Sequence, residues 1–568
     1  MKNDYQRLMH RILFLSIFMM TASLCYGQSN VISGIQDEYY FRVLQISGIS
    51  DENASFMLRP YEFTATESAP HPWRFLFSGN QTPFYSPAGL MEVDFFEPVW
   101  FQSYNSTLPR GNNDGAVWQG KGYNTAFSIG AALSTGPLHV QFRPVIGMAQ
   151  NRYFDPGPHR QASRTVTGIG SGIGLSEYSY PYSRGVDFVQ RYGDDLYSWF
   201  DLGESSVELR YSGLKLALSN KQLWSGPAVN QSLHFGYSAP GFRHVYFGTY
   251  RPVQTFAGVF EFAYIFGKTV ESDYYTENRV MNSQSVNSLI FVYRPWFTDR
   301  FSFGAVRTFF HPYPEDFSEY RNQAKKLFQT IIKDDIPEED ARGTFPDNQI
   351  ASIFFRYFVP EHGFEFYTEY GRNDHNADWR DFRGQPNHYR AYTIGLVKTT
   401  SLTGTRMLAV NFEMNQFEVM RTALTRGGRA LAGWYTHDKQ ILGVSNNGQI
   451  MGSGYGPGAN MQKLRADIYD MQGRIGFKLA RITYDNSRLD NNFSIFRNAN
   501  EEEAERHEVR NVEIMFGVEA TLFLLYDIEL TAALEQSYIM NQYHLKDNDL
   551  WNTRLELVLR KNISGWKR

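Results

Sequence analysis

The chain has 568 residues, with 55 Lys and Arg against 59 Asp and Glu, and its formal net charge of −4 offers no basic surface to nucleic acid. Its one cysteine, Cys25, leaves the rest of the chain without thiol chemistry, disulfides or a cysteine-rich zinc site. Aromatic residues make up 16% of the chain while mean hydropathy is −0.42, and beyond the first residues no apolar run reaches the about 18 residues of a membrane helix. Such a composition suits a membrane β-barrel with aromatic girdles and a wet lumen; a secreted β-sandwich is the competing class.

Lys2, Arg7 and Arg11 form a basic region, residues 12–20 (ILFLSIFMM) an apolar one, and Cys25-Tyr26-Gly27 sets small residues at −3 and −1 before Gln28. This is the grammar of a cleaved leader over 1–27. Residues 28–90 precede the first strand. A short helix is expected near 37–45, and Pro60, Pro70, Pro72, Pro83 and Pro87 predict irregular structure after it. This stretch reads as a periplasmic segment or a plug of the lumen, and 91–568 as the barrel.

From residue 91 the chain alternates with period two. A strand near 91–101 is followed by a long loop holding GNNDGAVWQGKG (111–122). Thr125, Phe127, Ile129, Ala131 and Leu133 then lead through the turn 134–137 into Leu138, Val140 and Phe142. After a long excursion from about 147 to 204 comes a hairpin turning at Ser212-Gly213. Val207, Leu209, Tyr211, Leu214, Leu216 and Leu218 lie on its one side, and Glu208, Arg210, Lys215 and Ser219 on the other. A Trp/Gly/Pro-rich loop, 220–241, separates it from strands near 243–249 and 258–267. Further hairpins turn at 295–300, 360–363, 399–403, near 472 and near 525, and the last strand runs through Trp551, Leu555 and Leu559. Eight short-turn hairpins with one strand before and one after predict 18 antiparallel strands. Short turns and long loops alternate throughout, as in outer-membrane barrels, and both termini then fall on the periplasmic side. One outer loop predicts a helix over 319–334, with Tyr320, Ala324, Leu327, Phe328 and Ile331 on one face, packed on the rim or folded into the lumen. The acidic run 501–505 reads as a solvated face.

Catalytic templates fail along the chain. The 13 His show no metal-ligand spacing, and the glycine run 168–174 opens no helix. No cofactor is implied. A rim hydrolase would need a Ser–His or Asp–His pair that no spacing singles out. The outer loops instead set rings beside amides and charges: Asn113, Asp114, Trp118, Gln119 and Lys121; Asn220, Lys221, Trp224 and Gln231; Tyr455, Asn460 and Gln462. Sugars stack their C–H faces on rings and hydrogen-bond to amides and charges. The alternative for any one of them is a girdle aromatic or a turn former.

Four segments resemble the Wzi-type capsule-assembly family of outer-membrane proteins. NDGAVWQGKG (113–122), DFVQRYGDD (187–195), SAPGFRHVYFGTYRPVQT (238–255) and NGQIMGSGYGPGANMQ (447–462) are similar to its motifs in the same order. The family's W-W-G-P stands here as Leu223-Trp224-Ser225-Gly226-Pro227, and its S-N-N-A-P as Gly236-Tyr237-Ser238-Ala239-Pro240. The resemblance implies an 18-stranded barrel in the outer membrane with a periplasmic N-terminus, binding capsular or other surface polysaccharide without enzymatic turnover. Outer-membrane lipid and polysaccharide-export machinery are the further partners it implies. Asn113, Asp114, Trp118, Gln119, Lys121, Lys221, Trp224, Arg243, Tyr455 and Asn460 are the candidate contacts. A diffusion channel for oligosaccharides or other solutes is the competing function.

Overall fold

The computed structural model describes residues 35–50, 54–60, 91–111, 113–154, 195–271, 283–329, 347–373, 379–384, 389–418, 434–436, 442–484, 509–524 and 528–561. The leader, the stretch 61–90, the glycine run, the acidic run and all of the 187–195 motif but Asp195 lie outside them.

Eighteen antiparallel strands close into a barrel, three of them interrupted. They are β1 (Glu92–Asn105), β2 (Gly122–Thr135), β3 (Leu138–Phe142 and Val145–Ala149), β4 (Tyr197–Asp201 and Ser206–Tyr211), β5 (Leu214–Ser219), β6 (Arg243–Thr249 and Val253–Thr255) and β7 (Gly258–Val270). The wall continues with β8 (Ser283–Pro295), β9 (Phe301–Pro312), β10 (Asn348–Val359), β11 (Phe364–Asn373), β12 (Arg390–Ser401), β13 (Met407–Gln416) and β14 (Asn460–Asp470). It ends with β15 (Gly473–Thr483), β16 (Val512–Leu524), β17 (Ile528–Met540) and β18 (Leu550–Lys561). Closure comes from β1 pairing with β18, from Val99 opposite Arg560 to Asn105 opposite Arg554, so the sheet has no first or last edge.

The alternation decides which side chain meets which medium. In β4 and β5 Val207, Leu209, Tyr211, Leu216 and Leu218 are exposed on the outer wall, while Glu208 is wholly buried inside. Ser212 and Gly213 turn this hairpin with φ of 49° and 88°, the paired left-handed geometry of a two-residue turn matched to strand twist. Eight such short connections lie at one end of the barrel and the long ones at the other. The excursion expected from 147 to 204 is corrected by the fold. Residues 197–201 form the outer half of β4 and pair with 145–149, beyond a break where Pro144 cannot donate to the ladder. Side chains patch that break: the Arg143 N–H donates to Ser205 Oγ at 3.0 Å, and Gln141 Nε2 donates to the Glu204 carbonyl at 2.6 Å.

The chain fills its own lumen. Helix α1 (Ile35–Ile46) sits near the short-turn end, where Arg42 forks onto Glu365 at 2.8 and 3.1 Å and Arg356 joins the same carboxylate. Rings pack beside it, Tyr40 against Tyr469 at 5.0 Å. From the opposite end the connection after β5 turns inward, and its Trp224–Ser225 strand pairs with Leu58–Arg59. At its tip the N–H groups of Val229, Asn230 and Gln231 all donate to Glu413 of β13, at 2.7, 3.0 and 2.9 Å, and Tyr367 adds its hydroxyl at 2.7 Å. A third inward segment seals against this loop: Gly236 N donates to Met451 O at 2.6 Å and Gly454 N to Gln231 Oε1 at 2.8 Å. Leu223, Leu233, Phe235, Ile265, Ile290, Trp434 and Met451 belong to one buried apolar cluster.

Helix α2 (Phe317–Lys326) is shorter than expected and lies elsewhere than expected. It packs on the outer flank of the wall, with Tyr320 against Phe266, and it ends at a Leu327 cap before the apolar pattern does. Phe328, expected on the packed face, is 78% exposed, and Ile331 lies outside the described residues.

Candidate functional site at the long-loop end

The segment between β1 and β2 lies over the inward loop. Gly115 N donates to the Tyr237 carbonyl at 2.7 Å, and Asn113, held at φ 54°, donates through Nδ2 to the Asn230 carbonyl at 2.7 Å. Asn tolerates that left-handed backbone better than most residues, which suits it to this corner. The Asp114 carboxylate is aimed by Gln119, whose Nε2 donates to Asp114 Oδ2 at 2.6 Å. Gln119 is itself buried and accepts from Ser103 Oγ at 2.7 Å. Asn113, Asp114 and Lys121 stay half-buried, so part of each reaches solvent.

Trp118 opens an aromatic group that sequence reasoning left incomplete. Its ring lies 4.6 Å from Tyr197 and 6.4 Å from Trp199, and those two stack at 5.8 Å with 17° between planes. Trp199 is fixed from both sides. Its Nε1–H donates to the Ala116 carbonyl at 2.8 Å, and its ring covers Gly147, where a Cβ would overlap it. Tyr197 and Trp199 are half-buried and Trp118 is 8% exposed. The signal that could have found them is the alternation Tyr197, Trp199, Asp201 against Ser198 and Phe200, which marks a strand inside the expected excursion.

The other candidates are dispersed. Lys221 is buried with its ammonium 2.9 Å from Glu208, inside the wall. Trp224 has no exposed surface; Arg59 lies over its ring at 4.3 Å and Tyr237 packs beside it at 5.1 Å. Arg243 is exposed and shares its parity with Val245 and Phe247 on the outer wall. Tyr455 joins the buried cluster around the inward loop, where burial pushes its phenol well above the usual value. Asn460 is occupied at the entry of β14, donating to Glu418 Oε2 at 2.6 Å and accepting from the Phe417 and Glu418 N–H groups. Asn113, Asp114, Trp118 and Gln119 are therefore the part of the set that converges, and Tyr197 and Trp199 complete it; Lys121 adjoins them only along the chain.

No protein-family model and no curated protein matches the chain. Among solved structures, it is similar to Wzi of Escherichia coli, described as an outer membrane protein involved in group 1 capsule assembly and a carbohydrate-binding β-barrel. The identity is 12% over 81% of this chain and 83% of that one, at a TM-score of 0.51. The fold is Wzi-like. More distant barrels include a BenF-like porin from Pseudomonas fluorescens (9% identity, 83% of this chain and 98% of that one, TM-score 0.40). OccAB3 from Acinetobacter baumannii is similar at 10% identity over the same shares, also at 0.40. A closed barrel of this Wzi-like form, apolar on the outside and filled with buried charges, is an outer-membrane barrel.

Proposed function

We propose that this barrel binds exported polysaccharide at the cell surface and helps assemble or anchor capsule there, without enzymatic turnover. The observation that carries the reading is the Trp118, Tyr197 and Trp199 group, held on the same segment that carries the half-buried polar groups of Asn113 and Asp114. Rings take the C–H face of a sugar while a carboxylate and an amide take its hydroxyls. The Wzi-like fold supports the same reading, since Wzi is described as carbohydrate-binding. In this reading residues 1–27 are a cleaved leader, 28–90 a plug on the periplasmic side and 91–568 the barrel, with the long loops outside. Polysaccharide-export machinery would meet it at the short-turn end.

The test is glycan binding by the purified barrel, paired with surface glycan retention in a deletion strain. Replacing Trp118 and Trp199 together by Ala lowers glycan affinity about tenfold, the loss of roughly 1.4 kcal/mol of ring contact. Capsule retained normally in the deletion strain, together with no glycan binding by the barrel, would sink the proposal.

A further inference from the structure

Helix α2 lies outside the barrel, on the side that meets lipid. In β7 Ala263 and Ile265 belong to the interior cluster, so Tyr264 and Phe266 stand on the outer face. There the Tyr320 ring meets Phe266 edge-on at 4.5 Å, and its hydroxyl is 3.0 Å from that of Tyr264. Past the other end of the helix the Leu327 carbonyl accepts from Arg307 Nη1 at 3.1 Å. Tyr264, Leu289 and Arg307 are successive register partners on β7, β8 and β9. The helix therefore crosses three strands along one row instead of climbing the wall.

That row is where the outer face changes character. Toward the hairpin turns Phe291, Phe303 and Ile353 are exposed; toward the long loops come Ser285, Asn287 and Gln349. The helix covers this transition. Gln323 accepts from Ser285 Oγ at 2.7 Å, and the Arg307 guanidinium is shared between Gln349 and the end of the helix. Turned away from the wall are Arg321 and Lys325, one turn apart and exposed, between Phe317 at 75% and Phe328 at 78% exposure. Lys268 is exposed on the same outer face as Tyr264 and Phe266, its ammonium 4.6 Å from the centre of the Tyr313 ring. Of the neighbouring acids, Asp316 caps the Glu319 N–H, Glu319 accepts from the Glu315 N–H, and Asp347 pairs with Lys326 at 2.6 Å, while Glu315 is exposed. Among the described residues neither Arg321 nor Lys325 has an ion-pair partner.

A helix lying across the wall, with bulky rings at its ends and cations between them, is built for the headgroup level of a bilayer. Cations placed there favour phosphate, which takes charge-assisted hydrogen bonds from both guanidinium and ammonium groups. We infer that α2 and Lys268 form a docking site for a phosphate-bearing lipid headgroup, namely the phosphorylated glycolipid of the outer leaflet. The assignment uses the orientation proposed above, with the long loops outside, but not the polysaccharide reading, which concerns the inner face of other strands.

The experiment is native mass spectrometry of the full-length protein in detergent with three lipids: bisphosphorylated lipid A, its dephosphorylated counterpart and phosphatidylglycerol. The wild type retains bisphosphorylated lipid A best, and the triple variant Lys268→Gln/Arg321→Gln/Lys325→Gln loses about tenfold or more of that retention. Equal retention by the variant, or of the dephosphorylated lipid, would overturn the site. Preference for phosphatidylglycerol would overturn the glycolipid and leave no outer-leaflet assignment. Heat-modifiable gel migration reports folding in the same samples, and the single exposed change Lys325→Glu gives the same loss should the triple variant not fold. Glycan binding by these variants stays at the wild-type level, which separates this site from the polysaccharide site.

Discussion

Gly147 shows how one atom can set the geometry of a ligand surface. The Trp199 ring rests where a Cβ would stand, so Gly147→Ala must push the ring off its stack with Tyr197. The expected outcome is a severalfold fall in glycan affinity with a melting temperature that moves little, because the strand pairing of β3 and β4 remains. Isothermal titration with a soluble capsule fragment, beside a thermal melt, separates the two effects. His234 makes a different prediction. It is buried in the inward loop with Nε2 unpartnered among the described residues, and burial lowers its pKa to about 3 from the ordinary 6.5. The folded barrel thus refuses a proton that the unfolded chain accepts, so its contribution to stability falls as pH drops from about 6.5 toward about 3. Melts of wild type and His234→Gln at pH 7.5 and 4.5 should show a smaller acid loss in the variant; parallel losses would remove His234 from the account.

Elements differed in how plainly the chain announced them. The 18 strands and the sorting of connections by length were legible because every lipid-facing strand must alternate, and a closed barrel must turn back the same way each time. Where the wall departs from ideal strands, the pattern failed. Residues 197–201 were hidden because Leu202 to Ser205 interrupt the alternation, and the break is repaired by side chains that no periodicity reveals. Trp224 was legible as a signature residue but not as a buried one, since its depth depends on Arg59, far away in sequence. Helix α2 was legible as amphipathic, yet the side it packs on is decided by Tyr264 and Phe266, which the helix sequence does not contain. The inward loop leaves a direct prediction. Glu413 receives three successive N–H groups and a phenol, so Glu413→Ala strands all four donors in the lumen. The cost is on the order of 3 kcal/mol of stability, read as a lower midpoint in a detergent unfolding titration. An unchanged midpoint would mean that water replaces the carboxylate without loss.

For the whole molecule, the filled lumen sets the expectation for transport. Helix α1 and the inward segments occupy opposite ends of the interior and meet in its middle, where Val229 joins the cluster packed around α1. In planar bilayers the wild type should show little single-channel conductance. Replacing Arg42 and Arg356 by Ala removes both cations on Glu365 and should give frequent openings. Large, steady conductance of the wild type would instead favour the diffusion-channel reading.

The inward loop has one more consequence, and it is mechanical. It leaves the wall between β5 and β6 and is fastened by its tip to β13, across the interior. The barrel is therefore a braced tube with an internal spoke. A hollow tube under sideways load can flatten and peel at its weakest seam, one ladder rung after another. A spoke carries the load to the far wall, where many hydrogen bonds must yield together. A barrel that keeps hold of a polymer dragged by flow has more need of such bracing than one that only lets solutes through.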